Sequence, residues 1–264
     1  MSSSRLSDVA VHVQGIGKQY HIGAMPSRST LYERLARTLR LDRSQPVVGG
    51  DLLWALKDVS FDVPRGQVFG IVGRNGSGKS TLLRILARIT SPTEGTAEMH
   101  GRVGALLEVG TGFHPELSGR DNIALSGSIL GMTPEQIMAR QDAIVDFAEI
   151  DQFLDTAVKH YSSGMFLRLA FSVSIHLDAD ILLVDEVLAV GDGAFQLKCQ
   201  ERIKEAVAAG RTVVFVSHGM DSVLELCDRA MVLNGGAIVC SGTAVEAVDF
   251  YTHEILGIEG PHAE

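Results

Sequence analysis

The segment "GRNGSGKST", Gly73 to Thr81, concentrates the residue types that hold a phosphate chain. It follows the apolar run "VFGIV" and precedes the helical pattern "LLRILARI". Glycines at 73, 76 and 78 let the backbone curl so that successive N–H groups point inward at phosphate oxygens. Gly73, Arg74, Asn75, Gly76, Ser77, Gly78, Lys79, Ser80 and Thr81 are therefore candidate nucleotide contacts. Lys79 is placed to reach the β and γ phosphates, and the Ser80 hydroxyl to help hold Mg²⁺. The strand-to-helix setting is what distinguishes this loop from a chance run of glycines.

Two further strands end in chemistry. "ILLVDE", Ile181 to Glu186, is an apolar run closed by two carboxylates. Elsewhere these would be solvated turn residues. Beside a phosphate loop they acquire separate tasks: Asp185 to order Mg²⁺ and Glu186 to orient or deprotonate an attacking water. "TVVFV" ends in Ser217-His218, and a histidine there is either structural or a hydrogen-bond donor to the γ phosphate or the water. A fourth feature is "KHYSSGMFLRLAFS", in which Phe166, Leu169, Ala170, Val173 and Leu177 recur at helical spacing. The spacing predicts a helix over about 163–176. Its start, Ser162-Ser163-Gly164, reads either as a helix cap or as an anion site built from free N–H groups and the helix dipole.

The elements that must position these residues alternate between β-branched runs and helical patterns, the signature of a mostly parallel sheet covered by helices. Strands are expected at Val9–Val13, Val59–Val63, Val68–Val72, Val103–Leu107, Ile181–Val184, Thr212–Val216, Ala230–Leu233 and Ala237–Cys240. Between Thr111 and Leu177 the pattern is helical alone, including a helix from about Thr133 to Phe147, and marks a helical subdomain over 111–178. Residues 21–50 form a second interruption. There "LYERLARTLRL" places Leu31, Leu35 and Leu39 beside Arg34, Arg37 and Arg40, a short basic amphipathic helix that packs on its own domain or meets a membrane or membrane-embedded partner.

With 264 residues, 45% of them hydrophobic, the chain can bury a sizeable core. A net charge of −9 argues against general nucleic-acid binding. The N-terminus lacks the apolar region of a secretory signal, and no run approaches the ~18 apolar residues of a membrane span, so a cytosolic location is expected. Cys199, Cys227 and Cys240 have neither disulfide nor metal-ligand spacing and are expected to be ordinary buried or helical residues.

Phosphate loop, helical insertion, serine-glycine helix start, strand with Asp-Glu and strand with His, in this order over roughly residues 9–255, resemble the ATPase subunit of an ATP-binding cassette transporter. The resemblance implies a single cassette over 1–264. Its fold would be α/β: a phosphate-loop NTPase core with a mixed, mostly parallel sheet, an antiparallel β part near the N-terminus and an inserted helical subdomain. It also implies ATP and Mg²⁺ as ligands and a head-to-tail homodimer, in which the phosphate loop of one copy and the signature helix start of the other sandwich each ATP. Ser162, Ser163 and Gly164 would then face a phosphate held by the partner. "VLAVGD" resembles the loop crossing that interface, with Asp192 as its acid. Tyr20 in "GKQY" matches the aromatic that stacks on adenine, with Trp54 as a rival that otherwise reads as a packed strand residue.

This chain departs from the family in two places. The signature, usually Leu-Ser-Gly-Gly-Gln, reads Tyr161-Ser162-Ser163-Gly164-Met165, and only Ser162 and Gly164 keep the usual letters. The glutamine that usually follows the strand ending near Leu107 is replaced by Glu108, which cannot donate as an amide does but can coordinate metal. Together "GTGFHPELSGRDNI", "YSSGM", "DEVLAVGD" and the extra segment before "WALKDVSF" are similar to the ATPases that export bacterial capsule, O-antigen and teichoic acid. That subfamily implies an integral-membrane permease as partner, near the inserted basic helix, and a peripheral position on the cytoplasmic face of the bacterial inner membrane. The chain stops soon after "AVEAVDFYTHEILG", so the C-terminal sugar-binding domain of some O-antigen exporters is not expected. The alternatives are a soluble cassette ATPase of translation or repair, the ATPase subunit of a cassette transporter with a different substrate, and a module that binds ATP without hydrolysing it. Lys79, Asp185, Glu186 and His218 speak against the last. The absence of an Asn-Lys-x-Asp segment speaks against a GTPase.

Overall fold

The structure is a computed structural model and describes residues 8–21, 52–106, 110, 112–185 and 192–257. The basic segment, Glu108 and Glu186 lie outside these residues.

Three runs, β3 (Val68–Val72), β6 (Ile181–Val184) and β7 (Thr212–Val216), are buried along their whole length. With β5 (Val103–Leu106), β8 (Arg229–Asn234) and β9 (Ala237–Thr243) they form a sheet in the order β5-β6-β7-β3-β8-β9, parallel except for the antiparallel β9. Continuous apolar runs are required here because helices or a second sheet cover both faces. Val72, Val184 and Phe215 face one side, together with Phe171, Phe195 and Ile203. Phe69, Ile71, Leu183 and Val214 face the other.

On that second side lies α1 (Lys79–Leu86), whose Leu82, Leu83 and Leu86 are buried. An eight-residue helix is too short to persist alone. Each leucine contributes roughly 1.5–3 kcal/mol on burial, which seats it. Beyond α1 a separate antiparallel sheet, β2-β1-β4, closes the layer with Val11, Val13, Val59 and Val63. Its strands are β1 (Val9–His21), β2 (Leu52–Pro64) and β4 (Glu94–Met99).

The helical block contains α2 (Gly119–Ile129), α3 (Pro134–Ala148) and α4 (Ser163–Ile175), packed through Ile123, Ile144, Val145, Leu169 and Val173. A capping box between Thr133 and Gln136 starts α3. The block is not helices alone in the α sense: 3₁₀ turns at Asp151–Phe153 and Val158–His160 lead into α4. After it come α5 (Gly193–Ala208), α6 (Met220–Leu226) and α7 (Ala244–Phe250), the last running into a π-helical turn at Tyr251–Ile255. The first two strands are much longer than the sequence suggested, and β4 was not anticipated. Cys199 and Cys227 are buried and their thiols are pushed up to about 12 by desolvation, so they are inert core residues; Cys240 is half-buried.

Candidate functional site

Parallel pairing sets the site. Val184 is level with Phe215, and Ile71 with Val216, so β6, β7 and β3 end together at their carboxyl edges. The next residues are Asp185, then Ser217-His218, then Gly73. Ligands of open α/β sheets bind at this edge. Asp185 is half-buried, and its N–H reaches the Leu106 carbonyl at 3.5 Å.

The loop after β3 is shaped by glycine at two points that admit no side chain. A Cβ on Gly73 would lie 2.3 Å from the Leu233 carbonyl oxygen. Gly78, at φ 107°, would press a Cβ to 2.5 Å from the Ala55 carbonyl oxygen. Gly78 is also the residue before α1, and no side chain caps that helix, so the first-turn N–H groups are left for an anion. Lys79 is 7% exposed, and its Nζ donates to the Gly73 and Arg74 carbonyls at 2.6 and 3.1 Å. The Ser77 hydroxyl is buried without a hydrogen-bond partner. An uncapped helix start, an inward cation and an orphaned hydroxyl together fit a polyphosphate.

A cavity of about 500 Å³ opens on this loop. Asn75, Gly76, Gly78, Lys79, Ser80, Thr81 and Asp185 form its polar wall, and Leu53, Trp54 and Ala55 of β2 its apolar one. Trp54 thus stands both as a strand residue, paired with Gln19, and as a wall of the cavity. Tyr20 lies one position along β1, opposite Leu53; it is 39% exposed, with the Lys18 ammonium 5.2 Å from its ring centroid. A second cavity, of about 680 Å³, joins His218 to Gly73, Arg74 and Asn75 and is closed by Tyr251 and Leu256. Sequence reasoning did not bring this last turn of the fold to the phosphate loop. Its signal was the aromatic in "DFYTHEIL", which nothing local connects to His218.

Ser162 caps α4: its Oγ accepts from the Met165 N–H at 3.2 Å. Ser162 and Ser163 are exposed, and a Cβ on Gly164 would lie 3.9 Å from the Ser162 Oγ, an ordinary contact. Tyr161 anchors the turn before it by donating to the Phe153 carbonyl at 2.8 Å. Asp192 caps α5, its Oδ1 accepting from the Phe195 N–H at 3.0 Å. That bond, with a nearby arginine, holds its carboxyl below the usual range. A buried residue that the sequence did not single out is Asn122. Its side chain accepts from the His114 N–H and donates to the His114, Leu117 and Ser118 carbonyls, fixing the "FHPELSGRDN" turn.

The sequence profile of the ABC transporter family matches residues 56–189. The ABC transporter protein AbcA of Aeromonas salmonicida is 43% identical over 97% of this chain and 79% of its own length. The chain belongs to the ABC transporter family.

As a member of that family it is an ATPase cassette whose hydrolysis of ATP is coupled to transport. The O-antigen export system ATP-binding protein RfbB of Myxococcus xanthus is 43% identical over 89% of this chain, which spans about half of that protein (53%). In fold the cassette is similar to the dimeric ATP-binding cassette MJ0796 in a post-hydrolysis state bound to ADP and Pi: TM-score 0.69 and 21% identity, over 89% of this chain and 98% of the other. Among the described residues no helix is long and apolar enough to cross a membrane.

Proposed function

We propose that this cassette is the ATP-hydrolysing subunit of a transporter that exports a polysaccharide or lipid-linked glycan, acting on the cytoplasmic face of a bacterial inner membrane through a separate integral-membrane permease. The observation that carries the export reading is 43% identity, over most of the chain, to a protein that bears the name of an O-antigen export ATP-binding protein. Affinity purification of the cassette from membranes in mild detergent tests it. A small polytopic permease is expected to co-purify; recovery of ribosomes or DNA instead would overturn the reading, because no nucleic-acid partner is proposed.

In the proposed mechanism the phosphate loop, Lys79 and the α1 start hold the ATP phosphates, while an aromatic of the N-terminal sheet stacks on adenine. Trp54 has the cavity wall in its favour, and Tyr20 the family position. The Ser80 hydroxyl and Asp185 line one cavity and would hold Mg²⁺, with Glu108 as a further oxygen ligand. Mg²⁺ would supply charge neutralisation at the phosphate oxygens. Glu186 orients and deprotonates the attacking water, and His218, on the adjacent strand end, hydrogen-bonds the γ phosphate. The exposed α4 start serves a second copy: Ser162, Ser163 and Gly164 face the γ phosphate bound by the partner, and Asp192 lies in the loop that crosses between copies.

Replacing Ser162 with Trp is expected to lower hydrolysis about 100-fold, as when a preorganised donor to a developing charge is removed. ATP affinity of an isolated copy, measured by fluorescent-nucleotide titration at high dilution, should change less than about twofold. A collapse of that single-copy affinity would place Ser162 at its own chain's nucleotide and sink the trans arrangement.

A further inference from the structure

Behind the α4 start, on the same helix, Arg168 carries a full charge yet is only 20% exposed. Its Nη1 donates to Glu149 Oε2 at 2.7 Å and its Nη2 to Asp192 Oδ2 at 2.5 Å. The guanidinium carbon stands 5.1 Å from the Phe195 ring centroid, completing a third contact. The three partners belong to two other elements. Glu149 is the left-handed residue, φ 58°, that ends α3. Asp192 and Phe195 open α5. Asp192 divides its carboxylate: Oδ1 caps α5 and Oδ2 takes the arginine.

Lys198 closes the arrangement from α5. Its Nζ donates to Glu149 Oε1 at 3.1 Å and to the Phe147 and Asp146 carbonyls at 3.0 and 3.3 Å, satisfying the open end of α3. Beneath the charges, the rings of Phe147, Phe171, Phe195 and His176 pack at centroid distances of 5.6–6.3 Å. Glu149 and Asp192 are more than half exposed, so solvent screening leaves each ion pair little to add to stability. What a planar guanidinium adds is geometry, because its fork fixes the direction of two carboxylates at once.

We propose that Arg168 is a positioning residue, a latch that holds the Ser162 helix start and Asp192 at the α5 start of one copy in a single fixed relation, so that both meet the partner copy together. The latch rests on the dimer reading above. It acts on assembly of the two-copy site and leaves each copy's own phosphate loop untouched. A lysine in its place supplies one point charge and cannot span Glu149 and Asp192.

The test uses the full chain carrying Glu186→Gln, in which ATP should accumulate the dimer. Light scattering gives the ATP concentration for half-maximal dimerisation, and a fluorescent ATP analogue at high dilution gives single-copy affinity. Adding Arg168→Met is expected to raise the dimerisation midpoint about tenfold, the size of coupling found between contacting residues, with single-copy affinity within about twofold. Asp192→Asn keeps the cap on α5, since Asn caps as well as Asp, and removes the carboxylate that takes Arg168. The double variant Arg168→Met, Asp192→Asn should therefore be no worse than the poorer single variant. Fully additive losses, an unchanged midpoint, or a loss of single-copy affinity would each overturn the latch. If Arg168→Met does not fold, Arg168→Lys carries the test, and full retention of dimerisation by it overturns the latch as well. A parent chain that forms no ATP-dependent dimer overturns the dimer reading itself and the latch with it.

Discussion

Replacing Glu186 with Gln is expected to preserve ATP binding, nearly abolish hydrolysis and trap a dimer that forms with ATP and not with ADP. In the sequence Glu186 directly follows Asp185, which stands at the carboxyl edge of β6, where β7 and β3 also end. Glutamine matches the size of glutamate but cannot take a proton. General-base assistance is worth about 10²–10⁴-fold, and loss of that order separates this role from a merely electrostatic one. With the γ phosphate retained, the contacts across the two copies persist, and association outlasts the missing chemical step. Steady-state phosphate release and light scattering with ATP or ADP give both readings. Turnover within about tenfold of the parent would remove Glu186 from the role of base. Normal loss of turnover without a dimer would keep the base and discard the head-to-tail assembly.

How far the sequence could be read depended on where each element's signal lies. β3, β6 and β7 fall on the residues expected, because strands covered on both faces must be continuous apolar runs. The ends of β1 and β2 pair Gln19 with Trp54, both half-buried, and Tyr20 with Leu53, both exposed, beyond repeated bulges, and no burial pattern marks their limits. β4, "EGTAEM", offers only Ala97 and Met99 to the core, too few to mark a strand, and is paired with β1. The site divides in the same way. The phosphate loop and the α4 cap are local, fixed by glycines and a serine that act within a few residues. Arg168 joins residues 19 and 24 positions away, and Asn122 organises a turn through four bonds that only the folded loop aligns. The Arg168 partnerships are set by tertiary packing, and those of Asn122, four to eight residues away, by the folded path of its loop; a single sequence marks neither. The departure from the usual signature is clarified in part: Tyr161 uses its hydroxyl to hold the 3₁₀ turn at Phe153, which the usual leucine could not do.

Lys79→Met should remove the nucleotide's effect on the fold while sparing the fold itself. Lys79 lies buried in the loop, and its ammonium donates to the Gly73 and Arg74 carbonyls, so its charge is held within the loop proposed to bind the terminal phosphates. Methionine keeps the unbranched stem that packs beside α1 and deletes the charge. A charge-assisted contact to phosphate is worth about twice a neutral hydrogen bond, and two phosphates share this one; a rise in the ATP dissociation constant of about 100-fold follows. Its consequence is measurable without catalysis. At ATP about 100 times above the parent's dissociation constant, binding stabilises the native state by about 2.7 kcal/mol, and at a ratio near one by only about 0.4 kcal/mol. For a domain of this size 1 kcal/mol moves Tm by about 2–4 °C, so the parent should gain roughly 5–10 °C with ATP and the variant about 1 °C. Because the lost contacts in the nucleotide-free loop, the hydrogen bonds to the Gly73 and Arg74 carbonyls among them, are offset by removal of a buried charge, the two proteins should melt within about 3 °C of each other without nucleotide. A variant that keeps the full ATP-dependent shift would show that Lys79 does not bind the phosphates. One that melts far below the parent without nucleotide would show that the ammonium is part of the fold.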